Sequence, residues 1–446
     1  MSVLTIRFLS LVWGSILLCP REGMESVRRV GVDAFIPLHV QSIRPGIFAS
    51  AMNDIDQSPG SRDPRNSARP TASRFSRLQA TKPSRFTDNA EGPLYVNDRC
   101  INCSACSMFA PTVFSRESGS DKYHIVSKQP VSEREIEESR AALLACPVAA
   151  IKVEKPTAKE QGISRDARFT VNPKVNALPL PFPREVSPNL PGVYFVGHHN
   201  SKSFGAAPYL VSSSSPSSSS SSSGTPQWIM IDSPRYSAQA VKTVESLTGP
   251  DGPSHLVLTH VDDTADHNRW KDKYPDLKRI FHAGDLGIHN WIGDDTLADV
   301  EILLESLSSD CELQHFDLNG TPIESAHSGN HDFVLVHTPG HSPGSIVLLK
   351  KPTKHSNDVN PGVLFSGDTY TYSTREGGHM SGYPLYGNDP ELQSKILPLM
   401  LDLDWQVLAP GHGHVRDYTL VGERNGGPDF RKEEMEAAIE ELLRYF

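Results

Sequence analysis

Four cysteines constrain this chain more than any other feature. Cys100-Ile-Asn-Cys103-Ser-Ala-Cys106 puts three thiols on one tight loop, and Cys146-Pro147 adds a fourth from beyond a helical stretch around residues 132–145. Two-residue gaps let a single loop wrap one side of an iron–sulfur cluster, while a remote Cys-Pro closes the other side. No second triplet follows, so the ligands fit one cluster, most simply [4Fe–4S], with [3Fe–4S] allowed by the same count. Four thiolates can also hold zinc, but structural zinc sites usually pair two Cys-x-x-Cys knuckles, and this is a triplet plus Cys-Pro. The other two cysteines, Cys19 and Cys311, stand alone and read as incidental thiols.

The flanking residues sharpen this reading. Asp98-Arg-Cys-Ile-Asn-Cys-Ser-Ala-Cys, with Pro111 and Val113-Phe114 downstream, resembles single-cluster ferredoxins. The resemblance implies a small 4Fe-4S domain over residues 91–154 and a redox partner protein at the cluster.

The 446 residues leave room for a second, larger domain. A net charge of −10 and the lack of a basic stripe with interleaved aromatics argue against nucleic-acid binding. Residues 3–19 carry an apolar run that is interrupted by Arg7 and short for a bilayer span, so no stable membrane insertion is expected of the mature protein. Between Gln57 and Thr87, Arg62, Arg65, Arg69, Arg74, Arg77, Lys82 and Arg85 face a single acid, Asp63, among many Ser, Thr, Ala and Pro. That composition reads residues 1–90 as a largely disordered plastid presequence, possible in bipartite form because of the apolar leader.

Residues 155–190 are rich in proline and charge and read as a linker. From Val193 onward, apolar β-type runs recur, at Pro208–Val211, Trp228–Ile231, His255–Thr259, Phe333–Val336, Ser345–Leu349 and Val363–Phe365. Helical stretches are expected at Ala238–Ser246, Thr296–Leu307 and Arg431–Phe446. The serine tract in 212–224 cannot bury enough apolar area to fold and reads as a surface loop inside a hairpin.

Four short pieces place possible metal ligands just after apolar runs: Leu258-Thr-His260-Val-Asp262-Asp263-Thr-Ala-Asp266-His267, Pro339-Gly-His341-Ser-Pro-Gly344, Ser366-Gly-Asp368-Thr and Pro410-Gly-His412-Gly. Adjacent glycines let the backbone turn and approach a metal. In their order, these pieces resemble the metallo-β-lactamase superfamily over residues 191–446. The expected fold class is therefore α+β: a small ferredoxin-like domain followed by a four-layer αββα sandwich, with one or two metal ions at the sheet edge. The whole chain resembles plant or cyanobacterial-type plastid proteins.

The resemblance implies a metal set of His260, Asp262, Asp266, His267, His341, Asp368 and His412, with Asp266 catalytic. The superfamily's His-x-His-x-Asp-His signature is not intact here. Anchored on His260, its second histidine falls on Asp262 and the Asp-His pair arrives late, so Asp262 or Asp263 would substitute for a histidine. More oxygen ligands shift preference from zinc towards iron or manganese. His198, His199, Lys202, Ser203, His282, Asp285, Tyr370, His379 and His414 are expected to serve pocket or structural roles. The chemistry expected is hydrolysis by metal-bound hydroxide or redox chemistry on a small-molecule substrate, coupled to the iron–sulfur electron-transfer module. The alternative is a non-catalytic plastid electron-transfer or binding protein with a degenerate second domain.

Overall fold

A computed structural model describes residues 82–116, 123–154, 181–213, 226–306, 312–329, 331–355, 358–420 and 430–445. The apolar leader, most of the Arg- and Ser-rich stretch, linker residues 155–180 and most of the serine tract lie outside these residues.

In the amino-terminal module, β1 (Leu94–Val96) pairs antiparallel with β4 (Ile151–Val153), and β2 (Phe114–Arg116) with β3 (His124–Val126). Helix α1 (Ala105–Phe109) begins inside the cysteine loop. Helix α2 (Glu133–Ala145) delivers Cys146 at its end. Its start is set by a capping box: Ser132 accepts from the Glu135 backbone N–H, and the Glu135 carboxylate accepts from that of Ser132. Ordered packing starts earlier than residue 91, because buried Asn89 bonds the backbone of Val96 and Val126.

The first large sheet takes β5 (Arg184–Glu185), β6 (Val193–Phe195), β7 (Tyr209–Ser212), β8 (Trp228–Ile231), β9 (His255–Val257), β10 (Lys278–His282) and β11 (Ile302–Leu304). They lie side by side in chain order. Helices α3 (Ala238–Thr248) and α4 (His267–Lys273) cover its outer face. The stretch expected to be a linker therefore ends earlier than 190, since β5 already belongs to the sheet.

The helix expected over Thr296–Leu307 is absent from its described part. A 3₁₀ turn at Asp295–Asp299 is capped by Asp294, and Val300 turns extended. Ile302, Leu303 and Leu304 then pair parallel to β10, because three consecutive apolar residues at an open sheet edge gain more from pairing than from one turn of helix.

The second large sheet has the order β13-β12-β14-β15-β18-β21-β22. Its strands are β12 (Gln314–Phe316), β13 (Pro322–Ile323), β14 (Phe333–His337), β15 (Ile346–Lys350), β18 (Val363–Gly367), β21 (Val407–Pro410) and β22 (Arg416–Asp417). Two hairpins, β16 (Thr353–His355) with β17 (Asp358–Asn360) and β19 (Thr371–Ser373) with β20 (His379–Ser381), project from it. Helices α5 (Pro390–Ile396) and α6 (Phe430–Leu442) accompany this sheet, with Met435, Ala438 and Leu442 of α6 buried against its outer face.

Side chains alternate across each strand, so Tyr209, Ile229, Ile231 and Val257 meet Leu335, Leu348 and Phe365 between the sheets. The opposite faces pack under the helices, giving four layers, α-β-β-α. Strands buried on both faces read as unbroken apolar runs, which explains Trp228–Ile231 and Phe333–Val336. The inter-sheet core is continuous with that of the cysteine module: Phe109 makes edge contacts with Phe182 and Phe195, at 4.9 and 5.1 Å between ring centroids.

Candidate metal centres

The four cysteines converge on one small apolar cavity lined by Val96, Ile101, Val148 and Ile151. Asn102 and Ser104, with φ of 60° and 65°, turn the backbone left-handed between successive cysteines, and this wraps the loop. The Arg116 guanidinium donates to Asn102 Oδ1 at 2.6 Å and to Ser104 Oγ at 2.5 Å, holding both turns. Backbone N–H groups of Asn102 and His124 point at Cys100 Sγ, and that of Ala150 at Cys146 Sγ, at 3.2 to 3.5 Å. Burial and neighbouring thiolate charge push the Cys103 thiol up to about 12 and Cys106 well above its usual value. Such thiols are poor ligands until a cation compensates them, so the set suits a cluster whose iron repays the deprotonation.

A second set lies at the rim where strand ends of the two large sheets meet. His260 follows β9, His341 lies in the turn between β14 and β15, Asp368 follows β18 and His412 follows β21. Val261–Asp263 forms a single 3₁₀ turn, in which positions i and i+3 eclipse; this brings Asp263 round beside His260. His260 Nε2 lies 3.8 Å from Asp262 Oδ2 and 3.9 Å from Asp368 Oδ2. His341 Nε2 lies 3.8 Å from Asp368 Oδ2, and His412 Nδ1 lies 3.9 Å from Asp263 Oδ2. Two atoms sharing an ion at about 2.0–2.2 Å each can be no more than about 4.4 Å apart, so every one of these pairs could share one. The compact triplets are His260, Asp262 and His341, and His260, Asp263 and Asp368.

The donor set has the marks of a metal site. Both oxygens of fully buried Asp263, with His260 Nε2, His341 Nδ1 and His412 Nε2, have no hydrogen-bond partner among the described residues. Leaving so many buried polar atoms unpaired is costly unless a cation satisfies them. A Cβ on Gly411 would lie 2.9 Å from Asp263 Oδ2 and 3.1 Å from Asp368 Oδ1, so only glycine lets β21 end against both carboxylates. Burial opposes charge on His412, but the Asp368 and Asp263 carboxylates outweigh it and hold its pKa up to about 10. His412 Nδ1 bonds Asp368 at 2.9 Å.

Supporting bonds orient these ligands. Thr259 Oγ1 spends its one proton on Asp232, so at 3.1 Å it accepts from His260 Nδ1 and leaves the Nε2 lone pair facing the rim. Trp291 Nε1 donates to Asp262 Oδ1 at 2.6 Å. Buried Asp285 accepts from Val261 N, Ser342 Oγ and Gly344 N, tying the His260 turn to the His341 turn.

Of the predicted rim set, the structure brings together His260, Asp262, His341, Asp368 and His412, and places Asp263, expected as an alternative to Asp262, beside them as well. It does not bring in Asp266 or His267. Asp266 Oδ2 accepts from Asn200 and from the Tyr236 backbone. His267 begins α4 on the outer face of its sheet, where Nδ1 meets Arg279 at 3.1 Å and Nε2 meets Asp294 at 3.2 Å, so neither nitrogen has a free lone pair. The 3₁₀ turn has already used Asp263, and Thr264 and Ala265 carry the next two residues away. The i, i+3 spacing of His260 and Asp263 was the signal available in the sequence.

The remaining residues fall around these centres. His282 stacks on His337 with centroids 3.8 Å apart, Tyr370 lies in the outer core, and half-exposed His379 faces Glu441. The loop carrying His198, His199, Lys202 and Ser203 lies between the cysteines and the rim. At its end a Cβ on Gly205, whose φ is +94°, would come within 2.6 Å of Cys103 Cβ. Nothing in the spacing of Phe204-Gly-Ala-Ala marks that approach.

Fold and ligands together define a 4Fe-4S ferredoxin-type domain joined to an αββα sandwich whose rim carries a candidate metal-ligand set. Residues 96–153 match the family model for the 4Fe-4S single cluster domain of Ferredoxin I. No curated protein matches the chain. Among solved structures, the chain is similar to a class B3 di-zinc metallo-β-lactamase from an Alaskan soil metagenome, at 14% identity over 59% of this chain and 92% of that one, TM-score 0.34. A metallo-β-lactamase from Elizabethkingia meningoseptica has 15% identity over 58% and 90%, TM-score 0.32. A flavodiiron core from a Synechocystis species has 16% identity over 56% and 58%, TM-score 0.33.

Proposed function

We propose that this protein is a metal-dependent oxidoreductase in which a non-haem iron or manganese site at the strand-end rim exchanges electrons with the 4Fe-4S cluster. The observation that carries the reading is the joint construction of the two ligand sets. The loop that covers Cys103 belongs to the sandwich, and Arg235 of the sandwich donates to the carbonyl of Pro147, next to Cys146. The donors at the rim point the same way: three histidines and three carboxylates form an oxygen-rich set that suits iron or manganese.

A bound ion there supplies Lewis acidity and a one-electron couple. The chain's own residues do the rest. Asp232 and Thr259 fix the His260 ring, Trp291 holds Asp262, and Asp285 keeps the two turns in register. Exposed Ile288, Trp291 and Ile292 on one side, with Leu385 and Tyr386 on the other, suit a small oxygen- or sulfur-containing substrate with an apolar portion. Ile101 and Phe204, 39% and 52% exposed beside the cysteines, suit a docking redox protein. The composition of residues 1–90 supports plastid import, which an import and cleavage assay would check.

Anaerobic purification with counts of iron, sulfide, zinc and manganese, plus EPR with and without dithionite, tests the reading. Iron or manganese beyond the cluster, with a redox-active signal lost in Asp368→Ala and His412→Ala, is expected. Zinc at the rim with ester hydrolysis indifferent to cluster reduction would make the protein a hydrolase. An empty rim would leave a non-catalytic electron-transfer protein.

A further inference from the structure

Ser107 directly follows a cluster cysteine, and His414 lies two residues beyond a rim ligand. Their side chains meet inside the protein: Ser107 Oγ is 3.4 Å from His414 Nε2 and 3.2 Å from His124 Nε2. The hydroxyl donates its single proton to the Ser104 carbonyl at 3.0 Å. Its two lone pairs must therefore accept from both histidines, which fixes Nε2–H on each ring. The Nδ1 atoms of His124 and His414 have no partner among the described residues, so this hub is the only anchor for either ring's nitrogens there. His124 reaches the cysteines a second way, through its backbone N–H to Cys100 Sγ at 3.5 Å. On the far side, the His412 backbone N–H donates to Asp368 Oδ1 at 3.1 Å.

We infer that the Ser107–His414 hydrogen bond is the electron bridge between the cluster and the rim metal. The route runs from Cys106 through one peptide link to Ser107, across the hydrogen bond to His414, and back through two peptide links to His412. Every step is a covalent or hydrogen bond. The competing route, from Cys103 to Gly205 and along the chain to Ala207, whose N–H donates to the Gly411 carbonyl at 2.7 Å, has to start with a van der Waals contact between Cys103 and Gly205. One electron leaves the reduced cluster, which returns to its oxidised state, and enters a ferric ion at the rim, which becomes ferrous. A low-potential one-electron donor re-reduces the cluster, and both Nε2 protons stay in place.

This inference rests on the redox reading of the rim. The test uses the full chain loaded with cluster and iron, the cluster reduced by a limiting pulse of dithionite. Stopped-flow absorbance follows the cluster, and freeze-quench EPR follows the rim iron. In Ser107→Ala and His414→Leu, transfer should slow by about tenfold or more, equivalent to roughly 1.4 kcal/mol of barrier. Iron and sulfide content and the cluster potential should stay at wild-type values, and His414→Gln, which keeps a donor, should recover most of the rate. If Ser107→Ala loses its cluster, the His414 pair decides the matter alone. Wild-type transfer rates in His414→Leu would overturn the bridge while leaving the redox reading intact. No transfer in the unsubstituted protein would overturn both.

Discussion

The cysteine loop and the strand-end rim hold their ligands by opposite strategies. Three of the four thiols lie within one turn-rich loop, shaped by left-handed Asn102 and Ser104 and clamped by Arg116. The rim gathers one turn after β9, one between β14 and β15, and the ends of β18 and β21. A local site depends on its own backbone, whereas a distributed site depends on the register of two whole sheets and on the side chains that tie their ends. Substitutions should therefore act differently on the two.

The largest effect is expected at the local site. Cys103→Ala or Cys146→Ala should abolish the cluster and most soluble yield, since ligand binding to such sites carries on the order of 10 kcal/mol of folding free energy. Iron and sulfide analysis with yield measurement checks this. At the rim, Asp263→Ala should cut metal content sharply while leaving the cluster in place. His267→Ala should leave rim metal unchanged and cost only about 1–3 kcal/mol from the broken contacts to Arg279 and Asp294. Equal metal loss in both variants would erase the difference in register described above.

Thr259→Val removes the hydroxyl that orients His260 and should weaken metal binding by roughly 10–100-fold without abolishing it, as competition with a chelator would show. Gly205→Ala joins the two regions: its positive φ and the crowding against Cys103 should cost about 1–3 kcal/mol. It should perturb the cluster's visible spectrum while rim metal content holds.

The same contrast explains what the sequence disclosed. Spacing within a loop is a direct statement of geometry, so Cys100, Cys103 and Cys106 were legible from their gaps. The apolar runs of β8, β14 and β18 marked the strands, and the order of four motifs marked the sandwich. Register was less accessible. Asp262, Asp263 and Asp266 are chemically alike, and only the 3₁₀ turn at Val261–Asp263 decides which carboxylates face the rim. The helix expected at Thr296–Leu307 failed for a related reason, because edge pairing with β10 is a long-range event that local periodicity does not carry. The Ser107–His414 contact joins positions 307 residues apart and leaves no local trace.

The aromatic seam of Phe109, Phe182 and Phe195 has a thermodynamic consequence. Domains tied by a linker melt separately, each with its own midpoint. Here the apolar interior runs unbroken from the cysteine module into the space between the sheets, so neither part can open without exposing the other. Calorimetry of the loaded protein should record one cooperative transition, and stripping the cluster should lower the midpoint of the strands as well as that of α2.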